Sequence, residues 1–329
     1  MTDQSSSQDR ECMARAIAAA ARVRCITSPN PWVGAVLRSA GGELFEGATM
    51  EVGGAHAEVT ALAAAGDAAV LIAAGVARVV VAVEDPDERV RGRGIERLRA
   101  AGIQVDVGLY ADRVRHQLAP YLKHRTTGRP YVVLKLAASL DGGTAAPNGT
   151  SQWITSPAAR ADGHRLRAES DAIVIGAGTV RHDNPSLTVR DYQPPVIRQR
   201  GDVDPVRVVL GSAPPDALVQ PCREMHGPLE EVLDDLGRDG VLQVLVEGGA
   251  SVAGQFHRAG LVDRYVIYLA PALFGGGDAR GLFTGPGVYT VDELWRGRFL
   301  SVERVGDDLR VEMEPADAAE PADEQTVGA

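Results

Sequence analysis

Residues 173–190 read IVIGAGTVRHDNPSLTVR, and this stretch decides the fold class that we expect. It opens with an apolar, β-branched run typical of a buried strand, and it passes through the small residues GAG to Thr179. Small residues at this point let a backbone approach a phosphate, and Thr179 can cap the short helix that we expect next. Asp183, Asn184 and Arg190 then add polar groups in what we predict to be one short loop.

A second stretch repeats the pattern of strand, glycine turn and helix. Residues 244–254 read VLVEGGASVAG, in which the strand is expected to end at Glu247 and Ser251 lies near the start of the helix. Two such turns in one half of the chain favour a cofactor that carries phosphate, because helix N-termini attract anions. Neither turn has the longer glycine fingerprint of the Rossmann fold, so that fold is not predicted.

The lysines of the chain are unusually few. Lys123 and Lys135 are the only two among 34 basic residues, so arginine supplies most of the positive surface charge. Lys135 lies inside the apolar strand pattern YVVLKLAAS, which ends with Ser139 and which Asp141 follows two residues later. A side chain that snorkels at a strand end is one interpretation of Lys135. We favour a ligand-facing role, because ligands of open α/β sheets bind beyond the carboxyl ends of strands.

Composition and charge exclude several classes of protein. The chain has 329 residues, of which 45% are apolar and 24% charged, so two ordinary domains can form. No apolar run is long enough to span a membrane, and the N-terminus lacks the pattern of a signal peptide. The net charge of −10 argues against a nucleic-acid partner. We therefore expect a cytoplasmic protein that binds small molecules.

Strand and helix patterns alternate along both halves of the chain, which predicts an α/β fold. The pattern changes at APYLKHRTTGRP, residues 119–130, which we interpret as a linker or domain edge. We therefore predict domains at residues 1–126 and 127–314. Residues 315–329 are predicted to be a disordered acidic tail.

The C-terminal half resembles a known family over nearly its whole length. The motifs KLAASLDGGTA, SQWITSPAAR, LRAESDAIVIGAGTVRHDNPSLTVR, LVEGGASVAGQF and LAPALFGG resemble the reductase domain of the bifunctional riboflavin-biosynthesis deaminase–reductase. The resemblance implies a fold similar to dihydrofolate reductase and a homodimer formed through this domain. It also implies NADPH-dependent reduction of the ribosylamino side chain of 5-amino-6-(5-phosphoribosylamino)uracil to the ribitylamino form.

The same resemblance implies site residues where the motifs match. The positions expected to contact NADP are Ala137, Trp153, Thr179, Asp183, Ser212, Gly249, Ala250 and Ser251. The positions expected to contact the substrate are Ser151, Arg167, Leu187, Arg190 and Glu247. The two arginines suit a sugar phosphate, and Trp153 offers a flat face to a ring unless it is a core tryptophan. In the expected mechanism the ribosylamine opens to an imine that receives hydride, with Lys135 and Glu247 polarising and orienting the opened chain.

The N-terminal half resembles the deaminase domain of the same family. TSPNPWVGAV, GGAHAEVTAL, DPDERVRGRGI and LRAAGIQVDVGL are similar to the pyrimidine deaminase, whose fold resembles cytidine deaminases. In zinc deaminases a His-x-Glu segment supplies one zinc ligand and the general acid/base, and His56 and Glu58 occupy these positions. Asn30 matches a position that contacts the substrate.

The zinc-binding cysteine segment of the family is absent. The helix that runs to Ala69 continues at once into residues 70–75, where the family has a strand and a Pro-Cys loop. Cys12 and Cys25 precede His56, and Cys222 belongs to the other half. Catalytic zinc typically needs three protein ligands, so zinc is expected from the family but not supported by this sequence. We predict no deamination, a vestigial Glu58, and a domain that is smaller or distorted.

Three functional hypotheses stay open. The first, which we favour, is an NADPH-dependent reductase fused to a disabled deaminase that keeps a structural or dimer-forming role. The second is the full bifunctional zinc enzyme, if the natural protein has a segment that this sequence lacks. The third is a non-catalytic paralogue that binds a nucleotide, which the presence of Lys135, Asp183, Arg190 and Glu247 argues against.

Overall fold

The computed structural model describes residues 6–64, 75–86, 92–196 and 204–316. Helices and strands alternate through it, which confirms the predicted α/β class. The elements of the N-terminal part are α1 (Ser7–Arg22), α2 (Arg24–Thr27), β1 (Gly34–Arg38), β2 (Leu44–Ala48), α3 (Ala57–Ala64), β3 (Arg78–Val81), α4 (Arg93–Ala100), β4 (Gln104–Val107), α5 (Ala111–Gln117) and α6 (Ala119–Thr127).

The C-terminal part contains the longer strands and the short helices that follow them. Its elements are β5 (Tyr131–Ser139), β6 (Gly143–Ala145), α7 (Pro157–Ala168), β7 (Ala172–Gly176), α8 (Ala177–Asp183), β8 (Val206–Leu210), β9 (Arg223–Met225), α9 (Leu229–Arg238), β10 (Gln243–Val246), α10 (Ala250–Arg258), β11 (Arg264–Ala270), β12 (Arg280–Gly281), a 3₁₀ turn (Val291–Glu293), β13 (Gly297–Val305) and β14 (Asp308–Pro315). In the part of the chain that the structure describes, no helix combines the length and apolar character needed to cross a membrane.

The chain forms two compact units that do not follow chain order. The first unit joins Met1–Tyr131 to Ala161–Leu245, and the second joins Val132–Arg160 to Val246–Ala329. The division into domains 1–126 and 127–314 stays a prediction. Most of the predicted acidic tail, from residue 317 onward, lies outside the described residues, and so does the junction after Ala69.

Most of residues 119–130 is helix α6, so this segment is not an irregular linker, whereas the alternative interpretation as a domain edge stays a prediction. Pro120 lies in the first turn, where a missing N–H costs nothing, and Gly128 ends the helix in the left-handed conformation at φ 75°. Tyr121 is buried. Pro120 and Gly128 are therefore the start and stop signals of a helix within a segment whose polar character and final proline favoured a linker or domain edge.

The N-terminal part of the first unit is built on two strand pairs. β1 and β2 are antiparallel, whereas β3 and β4 are parallel, and within the described ranges each pair is a separate two-stranded sheet. α1 and α3 approach the β1–β2 pair very closely. A Cβ at Gly34 would lie 1.9 Å from the Ala16 carbonyl oxygen, and a Cβ at Gly47 would lie 2.2 Å from that of Ala57. Glycine is therefore required at both positions.

The remaining strands of the first unit lie in the order β10–β7–β8–β9. β7 pairs in parallel with β8, and β8 pairs in parallel with β9. Every residue of β7 is buried, as expected of a parallel strand covered on both faces.

The second unit contains a mixed set of strands in the order β13–β14–β11–β5. β11 runs parallel to β5, with Val266 opposite Lys135, and antiparallel to β14. β6, which follows β5 in the chain, pairs with β12, which follows β11, in a separate short antiparallel sheet. The turn after β5 and the loop after β11 therefore both follow the same ends of two parallel strands.

Candidate functional site

Lys135 lies at the centre of β5, so a strand-end snorkel does not describe it. Lys135 is half-buried, whereas its neighbours in the strand, Leu134 and Leu136, are buried on the opposite face. The Lys135 Nζ atom lies 5.8 Å from the ring centroid of Tyr268, which is buried on β11. Strand alternation places Lys135 on the same face of β5 as Ala137, one of the predicted cofactor contacts.

Ser139 and Asp141 form a direct contact at the end of β5. The Ser139 Oγ donates to Asp141 Oδ1 at 2.5 Å, and it accepts from the backbone N–H of Gly143 at 2.9 Å. The Asp141 carboxylate also accepts from the backbone N–H groups of Gly275 at 2.9 Å and Phe274 at 3.3 Å. The bond from Ser139, followed by that from Gly275, lowers the pKa of the Asp141 carboxyl. This ionised carboxylate therefore anchors the loop after β11.

Trp153 is a surface residue, so the interpretation as a core tryptophan is wrong. Its side chain is 69% exposed. The guanidinium carbon of Arg160 lies 4.5 Å from the ring centroid, and Arg160 Nη1 donates to the Thr155 carbonyl oxygen at 2.7 Å. Ser151, a predicted substrate contact, is half-buried two residues earlier. An aromatic ring held by a stacked cation is suited to packing against a flat ligand.

The loop that carries Trp153 is tied to the first residue of β14. The Ser156 backbone N–H donates to Asp308 Oδ2 at 2.7 Å, and Asp308 is only 1% exposed. The Ser156 Oγ accepts from the N–H of Ala159 in the first turn of α7. Sequence reasoning missed Arg160 and Asp308. The arginine in SQWITSPAAR was a visible signal, whereas nothing local marks Asp308.

The turn after β10 leads directly into α10. β10 ends at Val246, Glu247 is half-buried, and Gly249 is the N-cap of a helix that begins at Ala250. Within the described residues, no side chain caps the N-terminus of α10. Ser251, the second residue of the helix, is exposed. This helix start therefore presents main-chain N–H groups in the way that anion sites require.

The turn after β7 differs from the prediction in two details. Helix α8 begins at Ala177 with Gly176 as its N-cap, so Thr179 is the third helical residue and does not cap the helix. The strand passes into the helix without a loop, which moves the cap position back to Gly176. Asp183 is the last residue of the helix rather than part of a loop, and Asn184 ends it in the left-handed conformation.

Arg167 and the predicted substrate segment meet in the first unit. Arg167 Nη1 donates to the Thr188 carbonyl oxygen at 3.1 Å. The backbone N–H of Arg190 donates to Nδ1 of the buried His164 at 3.0 Å. Leu187, which immediately precedes Thr188, is buried and has a positive φ of 56°. Helix α7 thus holds the segment that carries the exposed side chain of Arg190. Ser212, also exposed, follows β8.

The predicted deaminase residues lie in the N-terminal part of the first unit. His56 is exposed and immediately precedes α3, where its carbonyl oxygen accepts from Thr60, and Glu58 is half-buried in the first turn. The backbone N–H of Asn30 donates to the Thr27 carbonyl oxygen at 2.8 Å.

These residues do not fit a catalytic zinc. Across the described ranges, no group of three histidine, cysteine, aspartate or glutamate residues could hold a metal ion. Cys12, Cys25 and Cys222 are the only cysteines in the sequence, and the first two lie in α1 and α2. Burial raises the pKa of the Cys12 and Cys222 thiols, which disfavours the thiolate that zinc binds.

Comparison with known proteins gives matches over most of the chain. The family model described as the RibD C-terminal domain matches residues 130–311. The riboflavin biosynthesis protein RibD of Escherichia coli K12 is 38% identical over 360 aligned residues, which cover 92% of this chain and 98% of that protein. RibD of Mycobacterium tuberculosis H37Rv is 40% identical over 332 residues, which cover 91% of this chain and 95% of that protein.

Solved structures match at the same breadth. RibD of Acinetobacter baumannii, form 2, superposes with a TM-score of 0.82 at 32% identity, covering 94% of this chain and 99% of that one. A Thermotoga maritima protein described as a diaminohydroxyphosphoribosylaminopyrimidine deaminase/5-amino-6-(5-phosphoribosylamino)uracil reductase gives a TM-score of 0.81 at 28% identity, covering 93% and 98%. These matches confirm the predicted fold class, a deaminase-like part followed by a dihydrofolate-reductase-like part.

Proposed function

The chain belongs to the RibD family of riboflavin biosynthesis, and from that premise we propose that it reduces 5-amino-6-(5-phosphoribosylamino)uracil with NADPH. The reaction would convert the ribosylamino side chain into the ribitylamino form. The observation that carries this proposal is the match of the RibD C-terminal domain model across residues 130–311, a range that contains the predicted NADP contacts and the predicted substrate contacts of the reductase. We also propose, from the family resemblance, that the protein acts as a cytoplasmic homodimer.

Two features fit a dinucleotide cofactor. The exposed, cation-backed ring of Trp153 suits a flat ring, and the start of α10 has no side-chain cap among the described residues. Bound NADPH supplies the hydride. The residues that would hold it are Ala137, Trp153, Thr179, Asp183, Ser212, Gly249, Ala250 and Ser251.

The remaining site residues would bind and activate the sugar. Arg167 and Arg190 would hold the phosphate through charge-assisted hydrogen bonds. Arg167 lies in α7, and the same helix holds the backbone of Thr188 and Arg190 by hydrogen bonds. The ribosylamine would open to an imine, and the reduction would add hydride to the sugar carbon and a proton from water to the nitrogen. Lys135 would donate a hydrogen bond that polarises the opened chain, and Glu247 would accept one from its hydroxyl groups. Ser151 and Leu187 would complete the substrate contacts.

The deaminase half is proposed to be inactive in this chain. His56 is the single matching zinc ligand, and Glu58 has no metal-bound water to activate, so its general acid/base role is vestigial. Asn30 keeps the position of a substrate contact without a metal beside which the substrate could react. A separate deaminase would then supply the substrate of the reductase.

Two assays test the proposal. The first measures NADPH consumption with the phosphoribosylaminouracil substrate for Lys135→Met, Glu247→Gln and the matched control Lys123→Met, which changes the other lysine. Loss of a group that polarises the reacting centre should lower kcat by about a hundredfold or more, while the control stays near wild type. Wild-type kcat in both site variants would overturn the residue assignment. Binding of NADPH without turnover in the unaltered protein would favour the non-catalytic paralogue.

The second assay measures ammonia release from the amino-pyrimidine ribosyl phosphate with added zinc and no NADPH. No release is expected. Clear release would mean that this sequence lacks a segment of the natural protein or that zinc is held by other ligands, and it would favour the full bifunctional enzyme.

A further inference from the structure

The first compact unit joins the whole N-terminal half to reductase residues Ala161–Leu245. We propose that this half is a structural part of the reductase, which folds and unfolds with strands β7 and β10 as one unit through a buried junction centred on Arg24, Trp32 and Gln243. The inference concerns the fold of the chain and stands apart from the assignment of substrate and cofactor.

The apolar part of the junction is a shared core. Leu242 immediately precedes β10 and is 1% exposed. It belongs to one buried cluster with five residues of the N-terminal half, namely Ala20, Val23, Ile26, Trp32 and Tyr121. A continuous apolar core between two parts of a chain is typical of one domain, whereas interfaces between separate domains are more polar.

The polar part of the junction is a buried amide. Gln243 is 3% exposed, and its Oε1 accepts from Arg24 Nη2 at 2.6 Å. Its Nε2 donates to Ser170 Oγ at 2.9 Å and to the Glu169 carbonyl oxygen at 3.3 Å. Arg24 also lies 4.8 Å from the ring centroid of Trp32. An arginine of the N-terminal half therefore satisfies a buried acceptor on a reductase strand, and leaving that acceptor unpaired is costly.

A backbone contact extends the junction to helices α6 and α9. A Cβ at Gly237 in α9 would lie 2.0 Å from the carbonyl oxygen of Gly128, the residue that ends α6. His124 Nε2 lies 2.9 Å from the Gly237 carbonyl oxygen. Arg129 Nε donates to Asp234 Oδ1 at 2.5 Å. The two helices thus touch main chain to main chain, which a tethered, independently moving domain does not do.

The strand pairing leaves the N-terminal half with little sheet of its own. Its described strands form two separate two-stranded sheets, and such small sheets depend on packing against other elements. Helices α1 and α3 supply part of that packing on β1–β2. Leu242 adds an apolar contact to the same half from the reductase side of the junction.

Native-state hydrogen exchange on the full chain tests the proposal. In the unaltered protein at low denaturant, peptides from α1 and β1 should exchange through the same opening, with the same denaturant dependence, as peptides from β7 and β10. If α1 and β1 exchange through a separate, lower-energy opening that leaves β7 and β10 protected, the proposal is overturned. This measurement needs no variant and therefore does not depend on a mutant that folds.

The Arg24→Met variant provides the matched perturbation. It removes the donor to Gln243 and keeps an unbranched side chain, so protection of β7, β10, α1 and β1 should fall together by about tenfold. The control is Arg22→Met, which changes an exposed arginine two residues away, at the end of α1, and should leave protection unchanged. Loss of protection in α1 and β1 alone, with β7 and β10 as in wild type, would contradict a shared folding unit.

Discussion

Replacement of Trp153 by alanine should weaken cofactor binding while leaving the fold intact. A tryptophan side chain of about 250 Å² that is 69% exposed offers about 170 Å² to a ligand. A flat ring that covers half of this area removes about 85 Å² from water, which is worth about 2 kcal/mol at about 25 cal/mol per Å². The Kd for NADPH should therefore rise by about thirtyfold.

The assay for Trp153→Ala pairs a binding measurement with a stability measurement. NADPH fluorescence titration gives the Kd, and denaturant unfolding gives the free energy of unfolding, which should change by less than about 0.5 kcal/mol because the ring is on the surface. Trp153→Phe keeps a flat ring and should lose less affinity. Trp295→Phe is the matched control, since Trp295 packs against Tyr265 and His257. An unchanged Kd, or a loss of stability that accounts for the weaker binding, would refute the reasoning.

Three further perturbations probe the surroundings of that ring and the half-buried His257. Arg160→Ala should raise the Kd for NADPH about two- to fivefold, because the cation stacked on Trp153 is lost. Arg160→Lys should recover part of the affinity. Equal Kd values in the wild type and both variants would contradict a stacking role. Asp308→Ala should lower the free energy of unfolding by about 1–3 kcal/mol, because the Ser156 N–H loses its acceptor. Asp308→Asn keeps an acceptor oxygen and should lower the free energy of unfolding by less. Equal decreases for the two variants in chemical denaturation would exclude this hydrogen bond as the cause. Burial, followed by nearby Arg258, lowers the pKa of His257 in the folded protein. The histidine of the unfolded chain keeps its ordinary pKa of about 6.5 and therefore binds more protons than that of the folded chain as the pH falls. The free energy of unfolding should thus decrease as the pH drops from about 7 to about 5. His257→Gln should flatten that dependence in unfolding curves taken across this range, and an unchanged slope would show that another group titrates.

The local sequence pattern was sufficient to predict strand β7 and the start of helix α10. The β-branched run of β7 and the glycine turn before α10 are signals contained within a few residues. The same kind of reasoning missed α6, where the polar segment 119–130 was interpreted as a linker or domain edge although Pro120 and Gly128 suit the two ends of a helix. It failed at Thr179 because the cap position depends on the residue at which the strand ends, and a sequence pattern locates such an end only to within one or two residues.

The contacts that organise the candidate site are mostly non-local. Asp308 reaches Ser156 across 152 positions, and the Gly275 N–H reaches Asp141 across 134. No spacing rule connects residues so far apart, because their meeting depends on strand order. The Arg160 stack is shorter in range, but its existence depends on a loop conformation that sequence periodicity does not encode.

The position of Lys135 makes the protein unusually suited to chemical footprinting. With Lys123 as the only other lysine, an amine-directed acylating reagent has two side-chain targets in the whole chain. One is half-buried at the middle of β5 beside Tyr268, and the other lies on α6. Mass spectrometry of two peptides can then follow access to the centre of the reductase strand, with the second lysine as an internal reference in the same molecule.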